Sequence, residues 1–322
     1  MWILDGGEPW TRYRVLVDLE GLAPHHNEAM ALRREVAAHP AVGGLIARAA
    51  EWPGYPLKRH NDAAHPIYAI STLADFGLTR DDPGIDRLAD KILAHFDGAG
   101  FETLLWLPRF LTKEKEDSEA WTWMLCDSPT LLYSLIAFGY GDDPRVTAAV
   151  TNLAELVEDN GWQCGAADSL PKFSGPGRRG DTCPIATTYA LKVLSLLPDR
   201  HDTHGVAAGV AALLSHWEHQ RDYKLRMFGI GTDFRKLKYP FVWYDILHVT
   251  DVLSRFAIAR EDPCLAEMVD EIASQADDEG RYRAGAMYRA WKDWSFADKR
   301  NASPWLTMLA LRIQARIGRT VA

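Results

Sequence analysis

Two short segments of the chain carry residue types suited to acid–base or metal chemistry. The first, His60-Asn61-Asp62-Ala63-Ala64-His65, has two histidines and an aspartate within six residues. Asp62 and His65 are candidates for a general base or a metal ligand. The second, Cys126-Asp127-Ser128, offers Asp127 as an acid and Cys126 as a nucleophile or ligand. The alternative for both segments is a polar loop whose aspartate or histidine caps the helix that follows.

Basic and aromatic residues elsewhere in the chain could bind a substrate. Arg178 and Arg179 lie in a Gly- and Pro-rich loop, and Lys238 precedes Pro240. Such cations could hold a phosphate or carboxylate, or they could be solvated surface charges. Aromatic faces stabilise cations, although large aromatic residues more often fill a core. The candidate substrate-binding residues are Arg178, Arg179, Lys238 and Asp245, with Trp123, Tyr189, Trp243, Tyr244 and Trp305 as an apolar wall.

A repeat of about sixty residues places these segments in front of helices. Four apolar runs begin with a small or polar residue followed by Pro, which suits the first turn of a helix. A fifth run, which starts at Trp243, lacks the proline but keeps the spacing. The starts at 66, 129, 184, 243 and 304 are separated by 63, 55, 59 and 61 residues. The regular spacing predicts five buried inner helices.

Amphipathic outer helices are predicted between the inner ones. Segments 83–96, 144–157, 205–219 and 263–276 place apolar residues at helical spacing, and 28–50 is a first example. Three of these segments end in a turn of Asp, Gly and an aromatic residue, and strand signals are weak throughout. The unit is longer than the roughly 30 to 50 residues of open solenoids. The sequence therefore predicts an all-α, single domain over residues 1–322. We expect an α/α toroid of about five to six hairpins around a central cavity, with the first 25 or so residues packed on its rim.

The order of outer helix, Asp-x-Gly-aromatic turn and inner helix resembles the repeat of the terpene cyclase and protein prenyltransferase superfamily. That superfamily includes squalene–hopene cyclases and the beta subunits of protein prenyltransferases. The resemblance covers roughly residues 28–315, and it is sharpest at 173–183, which resembles the prenyltransferase segment with Gly-Arg and then Lys before Asp-x-Cys. It implies a toroid that acts on an apolar, isoprenoid substrate with an anionic head. Whether such a toroid needs a helical partner subunit stays open.

The same resemblance implies a zinc site. In that family the Asp and the Cys bind zinc with a later His, and the matching residues here are Asp181, Cys183 and His248. Arg178 stands at the position of the diphosphate-binding Lys. Zinc accepts these three ligand types and keeps a position open to activate a thiol or water. The alternative without a metal is a buried Asp181 or Asp127 that acts as a general acid, its pKa raised by desolvation.

Three functions therefore stay open. The leading expectation is a zinc-dependent transferase of the prenyltransferase type. The second is a metal-free cyclase or isomerase that protonates its substrate from a buried aspartate. The third is a non-catalytic toroid that binds a ligand or a partner protein, because one fold hosts many functions.

The composition and charge of the chain argue against some classes of partner. The 36 Lys and Arg against 44 Asp and Glu give a net charge of −8, unlike the basic stripe of nucleic-acid binders. No apolar run reaches the roughly 18 residues of a membrane span, and the N-terminus lacks a signal-peptide pattern. Four cysteines are too few for a disulfide scaffold, so we expect a cytoplasmic protein. There is no P-loop, dinucleotide or flavin motif, which leaves zinc as the expected cofactor.

Overall fold

The computed structural model of the protein describes residues 2–109, 115–170, 180–222, 225 and 228–319. This part of the chain is mostly α-helical, as the sequence predicts. Its α-helices are α1 (Trp2–Gly6), α2 (Pro9–Asp18), α3 (Asn27–Ala38), α4 (Pro40–Ala50), α5 (Pro66–Phe76), α6 (Ile85–Leu93), α7 (Ser128–Leu135), α8 (Pro144–Glu155), α9 (Pro184–Leu194), α10 (His204–Glu218), α11 (Ile246–Leu253), α12 (Ala257–Arg260), α13 (Pro263–Ala273) and α14 (Pro304–Arg316).

The proline-marked repeat predicts the buried helices correctly. Helices α5, α7, α9 and α14 begin at or beside prolines 66, 129, 184 and 304. Every residue of α5, α7, α9 and α11 is buried, so these helices are covered on all sides. Helix α11 begins at Ile246 rather than at Trp243. The reason is that Asp245 caps it, accepting a hydrogen bond from the backbone N–H of His248 at 3.1 Å.

The buried helices contact one another in chain order. Helix α5 contacts α7, α7 contacts α9, α9 contacts α11, and α11 contacts α14. Helix α14 then contacts α2, and α2 contacts α5. The N-terminal segment that was expected on a rim thus contributes α2 to this series, with Trp10, Tyr13 and Val15 buried.

Amphipathic helices cover the buried ones. Helix α3 packs on α2, α4 on α5, α8 on α7 and α9, α10 on α9, and α13 on α11 and α14. Helix α6 shows the pattern clearly, with Ile85, Leu88 and Ile92 buried on one face. The predicted helix 28–50 is two helices, because Pro40 begins α4 and the His39 imidazole caps it.

Two small antiparallel sheets add to the helices, although strand signals are weak in the sequence. Strands β1 (Thr103–Leu107) and β2 (Ser118–Thr122) pair, and so do β3 (Val157–Glu158) and β4 (Gly161–Trp162). The turn between β3 and β4 is one of the predicted Asp-x-Gly turns. Its Gly161 has a φ of +98°, a left-handed conformation that favours glycine. No helix of the described ranges combines the length and the apolar character that a membrane span needs.

Buried polar contacts join the C-terminal ends of the buried helices. Asp75 near the end of α5 pairs with Lys192 near the end of α9, with 3.3 Å between carboxylate oxygen and Nζ. The hydroxyls of Tyr133 and Tyr239 also donate to Asp75, at 2.7 and 3.0 Å. A buried charge needs such partners, so this contact fixes α5, α7 and α9 at one end.

A second buried cluster fixes the other helices at the same end. Asp251 of α11 accepts hydrogen bonds from Arg255, Arg312 and Arg316, at 2.9, 2.7 and 3.0 Å. Arg312 also donates to Asp18, the last residue of α2, at 2.7 Å. Because the C-terminal ends of the buried helices meet through these two clusters, their N-terminal ends share the opposite end of the molecule.

Candidate functional site

A histidine–carboxylate pair lies at the end of the molecule where the buried helices begin. His60 lies in the loop 58–65, which we call the rim loop and which leads into α5. Asp127 is the residue before α7. The Nδ1 atom of His60 is 2.9 Å from each carboxylate oxygen of Asp127. Since the carboxylate accepts the Nδ1 proton, Nε2 is the nitrogen that can take up another proton.

Burial and charge act on this pair in opposite directions. Asp127 is buried, whereas the His60 side chain is 32% exposed. Desolvation disfavours the imidazolium, but the hydrogen-bonded Asp127 carboxylate and the nearby Cys183 together raise the pKa of His60 above its ordinary value. The pair therefore stabilises the imidazolium form of His60, so Nε2 can accept a proton from a group that approaches it.

Tyrosines surround the pair. The Tyr68 hydroxyl donates to the backbone carbonyl of His60 and lies beside the Tyr189 hydroxyl. The Tyr189 hydroxyl donates to the carbonyl of Val242 at 3.0 Å. Burial raises the pKa of Tyr68 well above its ordinary value, with the neighbouring Tyr189 and Asp127 adding to the effect. These hydroxyls stay protonated and serve as donors near His60.

A buried acid, Asp245, directly precedes α11. Asp245 is fully buried, and its Oδ2 atom has no hydrogen-bond partner among the described residues. Burial raises the pKa of Asp245 to about 7, against the lowering effects of Lys238 and of the backbone N–H groups of His248 and Leu247. The Tyr288 hydroxyl is also buried without a partner in the described part of the chain. Its pKa is raised by burial and by the charge of Asp245.

A surface cleft adjoins this polar region. It has a volume of about 680 Å³, and it lies between the rim loop and the segment 287–290. Trp291 and Arg48 hold the two walls together. The Trp291 indole N–H donates to the carbonyl of Ala63 at 2.8 Å, and the Arg48 guanidinium donates to the same carbonyl at 2.9 Å. The residues that line the cleft include Lys58, Arg59, Met287, Tyr288 and Arg289.

Three cysteines form a second cluster at this end. The Sγ atoms of Cys126, Cys164 and Cys183 all lie within 4.8 Å of one another. Cys126 lies two residues before α7, Cys164 two residues after β4, and Cys183 directly before α9. Cys126 and Cys183 are buried and Cys164 is half-buried. Hydrogen bonds to the Cys164 and Cys183 sulfurs, and burial, raise the pKa of the Cys126 thiol well above its ordinary value.

Backbone pairing explains why these cysteines meet. Leu125 donates to the carbonyl of Gly165 at 3.0 Å, and Ala167 donates to the carbonyl of Trp123 at 3.0 Å. This antiparallel pairing brings Cys126 beside Cys164. The N–H of Cys183 donates to the carbonyl of Trp162 at 2.8 Å, which brings the third sulfur to the same point.

The predicted zinc ligands are not brought together in the same way. Cys183 clusters with Cys126 and Cys164, and among the described residues Asp181 and His248 do not join it in a group of metal-ligating atoms. Asp181 is half-buried in the loop before α9. His248 is buried in α11, its Nδ1 atom is 3.0 Å from the carbonyl oxygen of Trp243, and its ring stacks on Phe241 at 4.7 Å. The structure thus groups Cys183 with two other cysteines rather than with the residues that the resemblance implies.

Two of the predicted catalytic residues take structural roles in the rim loop. Asp62 accepts hydrogen bonds from the Tyr55 hydroxyl at 2.8 Å and from the N–H of Ala64 at 3.0 Å. His65 is fully buried and caps α5, and its Nε2 atom is 3.0 Å from the carbonyl oxygen of Tyr55. Burial lowers the pKa of His65, so this residue stays neutral. The carboxylate of Asp127, by contrast, pairs with the imidazole of His60.

The predicted anion-binding residues are divided. Arg178 and Arg179 lie outside the described residues. Lys238 is buried, and its ammonium group pairs with Asp233 at 3.0 Å. Its charge is therefore used inside the protein, and the exposed Lys58, Arg59 and Arg289 are the cations of the cleft.

The predicted aromatic wall is packed into the core. The Trp123 indole donates to Asp97 at 2.8 Å, and the Tyr244 hydroxyl is 2.8 Å from Nδ1 of the buried His216. Trp305 is fully buried and lies 5.3 Å from Tyr239, measured between ring centroids. The half-buried Trp243 packs on Phe228 at 5.2 Å, while Tyr189 lies 5.3 Å from the His248 ring.

Sequence reasoning did not single out Cys164 or Tyr288, and it considered His60 only as one of the two histidines of its segment. His60 belongs to the segment that was singled out, but nothing in the sequence shows that Asp127, 67 residues away, is its partner. Cys164 follows a predicted Gly-aromatic turn, and its place directly after that turn was the available signal. Tyr288 lies in a segment without periodicity.

No family model matches the chain, and a search of the curated proteins finds no match to it. The residues of the candidate site are therefore the basis for a proposed function.

Proposed function

We propose that the chain is an α/α toroid and an enzyme of the isomerase or cyclase type, which acts by proton transfer at the N-terminal end of its inner helices. The order of helix contacts supports the toroid, because α2, α5, α7, α9, α11 and α14 each contact two others of the set. Such a ring is the fold of the terpene cyclase and prenyltransferase superfamily that the sequence resembles, and membership of that superfamily is part of the proposal.

The contact between His60 and Asp127 carries the proposal. A carboxylate that holds Nδ1 of an imidazole fixes the ring and its tautomer, so Nε2 acts as the base. His60, whose side chain is 32% exposed, lies in the chain between Arg59 and Asn61, which line the cleft, while Asp127 stays buried. In the proposed step, Nε2 removes a proton from a carbon of the substrate. The imidazolium that forms is stabilised by the Asp127 carboxylate.

Asp245 supplies the matching acid in this proposal. Its carboxyl group is neutral over part of the physiological range because burial raises its pKa to about 7. A neutral carboxylic acid can donate a proton, as a buried aspartate does in a cyclase or isomerase. Protonation of one carbon by Asp245 and removal of a proton from another by His60 would shift a double bond or close a ring without any cofactor.

The cleft suggests the substrate class. Lys58, Arg59 and Arg289 give one opening three cations, while Met287, which is 45% exposed, adds apolar surface. Cations of this kind bind phosphate or carboxylate groups. The proposed substrate is therefore an amphiphile with an anionic head, and an isoprenoid diphosphate is the first choice.

Deuterium incorporation from solvent tests this function. The protein is incubated in D₂O with geranyl, farnesyl and geranylgeranyl diphosphate, and products are analysed by mass spectrometry. We expect deuterium in one of them, with His60→Gln lowering the rate by about 10²- to 10⁴-fold, the usual contribution of a general base. The matched control is His204→Gln, because His204 is an exposed histidine on α10. Equal rates in the two variants, or no exchange with any of the substrates, would contradict the proposal.

Zinc-dependent transfer is the second candidate, and the cluster of Cys126, Cys164 and Cys183 is the observation that favours it. A metal held there could activate a thiol or water for attack on the same class of substrate. The two candidates differ in their response to a chelator, which should abolish the zinc-dependent transfer and leave proton transfer by His60 intact. A protein that binds these amphiphiles without converting them would be the non-catalytic toroid.

A further inference from the structure

We propose that Cys126, Cys164 and Cys183 form a binding site for one thiophilic metal ion, with Zn²⁺ as the preferred occupant. The three residues come from three separate loops, and they meet although they are 38 and 19 residues apart in the chain. This site does not rest on the proton-transfer function, because it involves neither His60 nor Asp245.

The distances suit a metal ion. A Zn–S bond of about 2.3 Å in a tetrahedral site separates two sulfur atoms by about 3.8 Å. The three Sγ atoms already lie within 4.8 Å of one another. A closing movement of no more than about 1 Å therefore brings all three into ligand geometry, which side-chain rotation alone can supply.

The backbone around the site holds the ligands in place. Cys126 follows the segment 123–125, and Cys164 precedes the segment 165–167, with which 123–125 hydrogen bonds at 3.0 Å. The N–H of Cys183 donates to the carbonyl of Trp162. The glycine next to Cys164 leaves room for the Leu125 side chain, since a Cβ on Gly165 would lie 3.0 Å from a methyl carbon of Leu125. A site whose ligands are fixed before binding loses little conformational entropy when the metal enters.

The donor set selects the metal and leaves it reactive. Three thiolates favour Zn²⁺ or Cu(I) over Mg²⁺ or Ca²⁺, which prefer oxygen ligands. Among the described residues no fourth His, Cys, Asp or Glu joins the cluster. The sequence 171–179, between Cys164 and Cys183, contains none of these residue types either. A tetrahedral ion would thus have one position for an external ligand, as catalytic zinc sites do.

Metal binding is tested on the purified full chain. Protein stripped of metal under reducing conditions is titrated with Zn²⁺ against a chromophoric chelator, and bound zinc is counted by elemental analysis. We expect one Zn²⁺ per chain in the wild type. Each of Cys126→Ser, Cys164→Ser and Cys183→Ser should weaken binding by more than the roughly 10- to 100-fold that loss of a supporting residue costs.

Cys264→Ser is the matched control. Cys264 lies near the start of α13 and is outside the cluster, so this variant should bind zinc like the wild type. Titration of the wild type with Co²⁺ avoids any folding defect of the variants. It should give a sulfur-to-cobalt charge-transfer band with the strength of three thiolates. The proposal is overturned if the wild type takes up no zinc, if the cobalt band is absent, if the cluster variants bind as well as Cys264→Ser, or if the native protein has a disulfide within the cluster.

Discussion

Replacement of Asp245 by Asn should change the stability of the protein in a pH-dependent way. The stability of the variant relative to that of the wild type should be greater at high pH than at low pH. Asp245 is fully buried, and burial raises the pKa of its carboxyl group from the ordinary value of 3.8 to about 7. Between these two values the folded state holds a proton that the unfolded state has lost. The stability of the wild type therefore falls as the pH rises through this window, and the loss is complete above about pH 7. The Asn side chain has the same shape and no charge, so its stability does not carry this dependence.

The size of the effect follows from the pKa. One pH unit in this window costs the wild type about 1.4 kcal/mol, so the interval from about pH 5 to pH 7 costs about 3 kcal/mol. The free energy of unfolding of Asp245→Asn minus that of the wild type should thus grow by about 3 kcal/mol between about pH 5 and pH 8. Any loss or gain from the amide itself is the same at both pH values and cancels in this difference.

Urea unfolding at the two pH values measures this quantity. Asp199→Asn is the control, because it makes the same change at a carboxylate that is 76% exposed. If the difference between Asp245→Asn and the wild type is the same at both pH values, Asp245 does not titrate near neutrality and cannot serve as the neutral acid of the proposed site.

Two further substitutions test the packing that supports the site. Lys192→Met should lower the free energy of unfolding by about 3 kcal/mol in urea titrations, because Asp75 would stay buried without its cation; an unchanged midpoint would contradict the importance of this ion pair. Gly77→Ala should cost at least about 2 kcal/mol, since Gly77 has a φ of +91° and a Cβ there would lie 2.2 Å from the ring of Tyr13. Gly98→Ala, with a φ of +104° and open space around it, should cost about 1–2 kcal/mol from the backbone alone, and equal losses would exclude the steric effect.

Local signals in the sequence predict the helices well. The prolines at 66, 129, 184 and 304 mark helix starts because proline fits the first helical turn and little else in a helix. The same signal extends to Pro9, which begins α2 and lies 57 residues before Pro66. That proline fits the repeat, so α2 could have been recognised as a member of the buried set.

The strands and the cysteine cluster were harder to predict. Strand β1 is short and its partner β2 lies beyond a long connection, so no short hairpin turn marks the pair. The cluster depends on the pairing of 123–125 with 165–167, which is a long-range contact. The spacing of Cys126, Cys164 and Cys183 matches no short ligand motif.

Burial decided which of the candidate acids and bases have suitable surroundings. Asp62 and His65 share the rim loop with His60, but their side chains satisfy backbone groups and Tyr55. His60 differs because its partner comes from another helix start. Sequence patterns show which residues precede a helix, whereas the contact between His60 and Asp127 depends on how the helices are arranged.

The pH dependence of exchange, compared with the titration of His60, tests the proposed function most directly. The C–H resonances of the imidazole give the pKa of His60 by NMR, and deuterium exchange on the isoprenoid diphosphate gives the rate at each pH. The Asp127 carboxylate raises the pKa of His60 above its ordinary value, so Asp127→Asn should lower it. We expect two inflections in the rate, one at the NMR-measured pKa of His60 and one from the Asp245 carboxyl, which must stay protonated. The first should fall together with the His60 titration in Asp127→Asn. A rate profile in which neither inflection moves while the NMR titration of His60 moves would contradict the assignment of His60 as the base.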